Sequence, residues 1–395
     1  MSYSRVRLYL LSSLIVFIII SSANAQDISN NTFGKGIKMV AQDSSMALKF
    51  GVRFSTLYEG FYEPETKSYV DNLLIRRFRL KFDGFVVSPK LVYKLEIGIS
   101  NRDIGGVSEF TNGAARLLLD AVLKWNFAGN FVLWFGQTKL PGNRERVVSS
   151  QKLQFVDRSL LNSRFNLDRD IGLQLHHHHN VGQAVLREII SISKGEGRDI
   201  TIKNKNGYDF TGRVEFLPFG LFAKKGDYFE SDLLREPIPK LALGASYDYN
   251  HGAERSRGQL GLWLDESRNL STWFVDAIYK HNGFSAMAEY ANRQTGESAV
   301  VERDSTGTVT QSFYTGKAFN GQVAYLFKNN FEIGGRYTML NQDPDTQRND
   351  IKQYTLGFTK YIVGHSLKAQ TDITLQQTAN SSDLWMFRFQ VEMAF

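Results

Sequence analysis

LWMFRFQVEMAF, residues Leu384 to Phe395, is the stretch whose reading decides the fold. Trp385, Phe387, Phe389, Val391, Met393 and Phe395 occupy every second position, and Met386, Arg388, Gln390, Glu392 and Ala394 fill the places between. Successive side chains of an extended strand point to opposite faces, so this segment has one apolar face and one largely polar face. A water-facing strand has no use for six large apolar groups in a row. From Trp385 to Phe395 a strand rises about 33 Å, which a tilt of about 40° reduces to roughly 25 Å of membrane thickness. The pattern fits a strand crossing an outer membrane with its odd-numbered side chains in lipid.

The beginning of the sequence agrees. Arg5 and Arg7 precede an apolar run from Leu8 to Ile20, followed by Ser21-Ser22-Ala23-Asn24-Ala25. A charged region, a short apolar region and an A-x-A site make a secretory signal peptide, with cleavage expected after Ala25. The run is too short for an uncleaved spanning anchor. Residues 1–25 are therefore read as signal peptide, 26–45 as a periplasmic N-terminal segment, and 46–395 as a barrel.

Composition narrows the class. No later stretch approaches the roughly 18 consecutive apolar residues of a spanning helix, which excludes an exported helical membrane protein. Aromatic residues nevertheless reach 13%, with 29 Phe and 17 Tyr, beside 22% charged residues. A wet lumen inside an aromatic outer belt produces that combination. Cysteine is absent, so neither a disulfide scaffold nor a thiolate metal site can form. Only seven prolines suit long strand ladders. Lys and Arg outnumber Asp and Glu by 47 to 40, a mild excess that with export disfavours a nucleic-acid partner.

Alternation recurs along the chain between Gly-, Asn-, Asp- and Ser-rich connections. Leu74, Phe78, Leu80 and Phe82 share one face, with Arg77, Arg79 and Lys81 on the other. Leu91, Tyr93, Leu95, Ile97 and Ile99 alternate with Lys94, Glu96 and Gly98. Leu117, Leu119, Ala121, Leu123, Trp125 and Phe127 alternate with Asp120, Lys124 and Asn126. Phe331, Ile333, Tyr337 and Met339 oppose Glu332, Arg336 and Thr338, and Leu367, Ala369, Ile373 and Leu375 oppose Lys368, Gln370 and Asp372.

Connection lengths give the strand count, because short periplasmic turns alternate with long outer loops and the total is even. A plain tally of runs is odd, and discarding Gln259–Leu264 into a long loop from about Asn250 to Leu270 restores the alternation. Short turns then fall near Ser88, Gly129, His177–Gln183, Asn282, Asn329 and Gly364. Long loops follow Tyr58, Asn101, Leu140, Lys194, His251, Arg293, Gln342 and Thr378. The expectation is an all-β, transmembrane antiparallel barrel of sixteen strands. The connection Pro218–Lys240 spoils the pattern, being long on the periplasmic side, and leaves eighteen as the alternative.

GQTKLPGNRERVVSS (Gly136–Ser150) and LQFVDRSLLNSRFNLDRDIGLQL (Leu153–Leu175) resemble the signature region of the phosphate-selective porins O and P. So do LLIRRFRLKFDG (Leu73–Gly84), RVEFLPFGLFAKKGDYFESDL (Arg213–Leu233) and DAIYKHNGFSAMAEYANR (Asp276–Arg293). The resemblance, closest to the Bacteroidetes-like branch, implies a sixteen-stranded and usually trimeric channel. It also implies an inward-folded loop and an arginine-lined constriction for phosphate-like inorganic anions. Phe395 resembles the terminal signal read by the barrel assembly machinery.

The connection from about 140 to 169 holds the constriction candidates Lys139, Arg144, Arg146, Arg158, Arg164 and Arg169. Guanidinium donors stay charged and fork onto phosphate or carboxylate oxygens. The bland alternative is a solvated outer surface that binds lipopolysaccharide phosphates and outer-membrane lipid. Arg77, Arg79, Lys81, Lys94 and Lys124 face the lumen by parity. They form either a basic wall for anions or ion pairs with Glu96, Asp120 and their neighbours. His176–His179 point alternately to two faces with no carboxylate in the run, so a wet periplasmic turn is expected rather than a metal site. No G-x-S-x-G elbow, Gly-Lys-Ser/Thr phosphate loop or triad spacing is present, and no enzyme, cofactor or metal is expected. The reading is an anion-preferring porin. A non-selective diffusion porin, a structural or adhesive barrel and an embedded hydrolase are its alternatives.

Overall fold

The computed structural model describes residues 33–204 and 207–395, so the expected signal peptide lies outside the described residues. Sixteen strands form one closed antiparallel barrel. The first eight are β1 Met46–Glu63, β2 Ser68–Val86, β3 Ser88–Gly98, β4 Leu118–Ala128, β5 Phe131–Lys139, β6 Arg169–Val181, β7 Ala184–Ser193 and β8 Asp209–Leu217. The second eight are β9 Lys240–Arg255, β10 Trp263–His281, β11 Phe284–Thr295, β12 Gly316–Leu326, β13 Phe331–Gln342, β14 Ile351–Val363, β15 Leu367–Thr378 and β16 Leu384–Ala394.

Each strand pairs with the next, and β16 returns to β1 with Trp385 opposite Tyr62 and Ala394 opposite Arg53. Phe395 continues the seam, its N–H and C=O exchanging hydrogen bonds with Val52 at 2.9 and 2.8 Å. Closure leaves no unpaired edge, which a strand structure in lipid requires. Part of the 26–45 segment, Ile37–Val40, adds a short strand beside Ala47–Phe50 of β1.

The faces follow from the alternation. On β16, Trp385 is 41% exposed on the outside whereas Glu392 is fully buried on the lumen side. Register shifts interrupt several ladders, and two of them reverse faces expected from the alternation. Arg76 is the extra residue between the pairs Ser55–Arg77 and Thr56–Ile75, so Ile75 faces outward and Leu74 lies on the lumen side, opposite to the expectation. Leu119 is likewise extra between Glu96–Asp120 and Ile97–Leu118, and it is buried rather than lipid-facing. A bulge bends the strand and re-aims side chains.

One rim carries the short turns as expected, and the other carries the loops. The connection after Tyr58 is shorter than expected because β1 and β2 extend as a tall hairpin to Glu63 and Ser68. The discarded run is loop up to Leu262, and β9 and β10 extend further than expected. The count is sixteen, and the alternative of eighteen falls. The anomalous 218–239 connection contains no barrel strand and folds into the lumen instead. Phe222 packs among Val185, Leu217, Ala242, Ile278 and Met287. The Lys280 ammonium reaches up to the carbonyls of Gly226 and Ser231 at 2.7 and 2.8 Å.

Candidate pore constriction

The 140–168 connection enters the barrel from the loop rim and contains two short helices, α1 Arg144–Val147 and α2 Leu160–Phe165. Ser159 caps α2, its hydroxyl accepting from the Asn162 N–H. The Lys139 ammonium donates to the carbonyls of Arg146 and Val148 at 2.7 and 3.1 Å, placing a cation on the C-terminal end of α1.

Packing holds the loop against the far wall. Leu140, Leu161, Phe165 and Leu167 cluster with Phe274, Ala291, Ala318 and Leu340 of β10 to β13. Glu289 accepts from the Asn143 amide at 2.8 Å and from the Glu145 N–H at 3.0 Å. Asp372 accepts from the Val156 N–H at 3.1 Å. Phe155 is buried over Gly334 and Gly357, where a Cβ on residue 357 would fall 2.6 Å from its ring. Two glycines thus make room for one phenyl group.

The 218–239 segment meets the loop from below. The Glu230 N–H donates to the Lys152 carbonyl at 3.1 Å, and the Glu230 carboxylate accepts from the Gln154 N–H at 2.9 Å. Burial, reinforced by the Glu145 carboxylate, pushes Glu230 up to about 7. The lumen on this side is therefore filled from both rims.

Across it, β2 to β5 carry the basic wall expected from parity, but most of its cations are already paired. The bulge at Arg76 lets two consecutive arginines reach one carboxylate, with Arg76 and Arg77 on Asp157 at 2.7 and 2.9 Å. Arg79 takes Asp103 at 2.5 Å and Glu96 at 3.1 Å. Lys94 takes Glu96 at 3.0 Å and Asp120 at 2.7 Å. Arg169 also binds Asp120, and Arg146 binds Asp168. Arg144 is fully buried between Asp276 at 2.5 Å and Glu215 at 3.5 Å, away from any aqueous passage.

Four partly exposed cations differ from these: among the described residues, none has a carboxylate within ion-pairing distance. Lys81 lies opposite Glu96, whose two oxygens are taken by Arg79 and Lys94. The Lys124 ammonium sits 3.5 Å from the Trp134 ring centroid. Lys152 sits 3.3 Å from that of Phe229, and burial together with the charges of Lys81 and Lys49 pushes it down to about 8. The Arg158 guanidinium donates to the Glu145 and Val148 carbonyls, at 2.8 and 2.7 Å.

Arg164 lies elsewhere. Its guanidinium carbon is 5.7 Å from the Tyr314 ring centroid, where Arg348 and Arg257 also converge at 3.8 and 5.9 Å. This cluster joins four separate loops, and nothing local in the sequence announces it. The Tyr314 cluster is the charged feature that sequence spacing missed, and Lys152 and Asp157, legible as charges of the same loop, were not among its constriction candidates. His176–His179 lie on β6 itself, not in the Gly182–Gln183 turn, and His176 stacks on Trp134 at 4.1 Å.

A closed sixteen-stranded barrel with a lipid-facing apolar belt and a loop folded into its lumen is the architecture of an outer-membrane porin, and it points to a channel rather than an enzyme. The chain belongs to the phosphate-selective porin O and P family, whose model matches residues 48–381. An uncharacterised protein of Aquifex aeolicus (strain VF5) is 22% identical over 303 residues, covering 70% of this chain and 66% of that protein. Among solved structures, the outer membrane channel DcaP of Acinetobacter baumannii is similar at TM-score 0.58 and 13% identity, covering 91% of this chain and all of that one. The anion-selective porin from Comamonas acidovorans is similar at TM-score 0.54 and 10% identity, covering 89% of this chain and all of that one. At such identities these two likenesses concern the fold.

Proposed function

We propose that the porin passes small anions, phosphate and related oxyanions among them, by diffusion past Lys81, Lys124, Lys152 and Arg158. The observation that carries this reading is their lack of carboxylate partners. A paired arginine presents little net charge to a passing ion, whereas an unpaired ammonium in a narrow passage raises the local anion concentration. Several moderate sites also let the ion leave, which one deep site would not. The proposed roles of the candidates therefore divide. Arg77, Arg79, Lys94, Arg144, Arg146 and Arg169 hold the lumen's shape, with Lys139 capping α1, and the four unpaired cations set selectivity.

The same reading includes export by cleavage after Ala25, recognition of Phe395 during assembly, and a homotrimer. Support for the trimer comes from an outward recess of about 480 Å³ lined by Ala277, Ala286, Ala288, Gly321 and Gly335. Small residues let neighbouring backbones approach closely inside a membrane.

The test is the reversal potential across a salt gradient for single channels in a planar bilayer. Replacing Lys81, Lys124 and Lys152 together by glutamine should lower the anion-over-cation permeability ratio and weaken phosphate block of the chloride current. An unchanged reversal potential would leave a non-selective diffusion porin. Loss of chloride selectivity in the variant, with no phosphate block in the unmodified protein, would keep the anion channel and remove the phosphate assignment.

A further inference from the structure

We infer that His177, His179 and Glu188 form a binding site for one divalent transition-metal ion of the zinc type on the outer wall of the barrel, beside the short-turn rim. The histidines were set aside in the sequence because no carboxylate lies in their run. Sheet pairing supplies one. Glu188 of β7 is the direct register partner of His177 on β6. His177 and His179 are two residues apart and share the face that carries Ile171 and Leu173, while Glu188 shares the face of Ile190 and Ile192. All three therefore point outward.

The ligand atoms are already spaced for an ion. His177 Nδ1 lies 3.1 Å from Glu188 Oε2, and His179 Nδ1 lies 3.4 Å from Glu188 Oε1. One atom from each residue falls within 4.8 Å of the others. A tetrahedral zinc ion with bonds of about 2.0–2.2 Å holds its ligand atoms roughly 3.3–3.5 Å apart, so binding needs only small side-chain adjustments. Two imidazoles and one carboxylate suit zinc and leave the fourth position to water.

The rings are held in place before any ion arrives. His177 stacks between Phe131, at 4.1 Å, and His179, at 5.4 Å. Both backbones are fixed by the β6–β7 ladder. The side chains keep 27%, 41% and 35% of their exposure, enough for an ion to enter from the interface. His176 and His178 fall on the other face of β6 and cannot join. The competing description is an ordinary imidazole–carboxylate hydrogen bond, which would bind protons and no metal.

Isothermal titration of the intact barrel in detergent micelles with Zn²⁺, after stripping with a chelator, separates the two. Co²⁺ titration, followed by the visible absorption of tetrahedral cobalt, reports the geometry. One saturable equivalent per chain is expected, weakened at least tenfold by Glu188→Gln and by His179→Gln, with His178→Gln unchanged. Heat-dependent gel mobility verifies that each variant is folded. Absence of saturable Zn²⁺ binding in the unmodified protein would overturn the proposal. So would equal affinity in folded Glu188→Gln, or loss of binding in folded His178→Gln.

Discussion

Replacing Gly357 by alanine should unseat the loop that narrows the barrel. The added methyl would lie 2.6 and 2.8 Å from Cδ1 and Cε1 of Phe155. Carbon atoms in contact prefer about 3.5–4.0 Å, so the ring must move by about 1 Å. The ring is buried, and a Cβ on Gly334 would already lie 3.4 Å from its Cζ, so moving away from Gly357 disturbs the seat of the loop. Overpacking of this kind costs about 1–3 kcal/mol. If about 2 kcal/mol of it falls on the seated loop, the unseated population rises by roughly thirtyfold. Single-channel recordings should then show a larger mean conductance or more frequent steps between levels. Shrinking the partner should relieve the clash, so Gly357→Ala combined with Phe155→Leu should behave closer to the unmodified channel than Gly357→Ala alone. Gly212→Ala on β8 is the control, since a Cβ there meets nothing within 4 Å. Unmodified conductance and step frequency in Gly357→Ala, with no effect of the second substitution, would refute the seating argument.

Three further outcomes are expected. Leu123→Arg puts a charge on the lipid face near the middle of β4 and should cost about 2–4 kcal/mol, read as a lower yield of heat-modifiable barrel. Lys124→Arg, one residue away but inside, should be mild, and the reverse result would put every face of β4 in the wrong place. Arg144→Gln leaves Asp276 and Glu215 short of a buried partner, and should lower unfolding stability by about 3–5 kcal/mol in a denaturant titration. Finally, Lys152 is held down to about 8, chiefly by burial, so its ammonium is lost as pH rises through that value. Anion selectivity should decline between about pH 7 and 9 in the unmodified channel, and Lys152→Gln should flatten that decline; equal slopes would remove Lys152 from the passage.

Alternation with a period of two is a property of each strand alone, and it was legible wherever lipid lies on one side. Connection lengths carried the strand count for a related reason: a barrel has two rims, and only one bears long loops. The length and charge of the 140–168 connection marked it as functional, but its inward fold was implied only by the family resemblance, and its chemistry was not legible. The arginines that stood out by density proved to be mostly paired, and the unpaired Lys152 of the same loop was not among the candidates. Leu74 and Leu119 were misassigned because one extra residue in a ladder reverses parity and leaves no mark in the alternation.

The sequence by itself determined that the chain crosses a membrane as strands, which faces most of those strands show to lipid, and that basic groups line the interior. These follow from local periodicity and from the cost of charge in hydrocarbon. The tertiary structure alone decided which interior charges remain free. Arg53 meets Glu392 at 2.5 Å across 339 residues, Val156 meets Asp372 across 216, and Glu188 reaches the histidines only through the β6–β7 register. The reason is geometric. Closing a barrel and folding two segments into it brings together side chains whose separation along the chain carries no trace of the contact, and electrostatics depends on the contact.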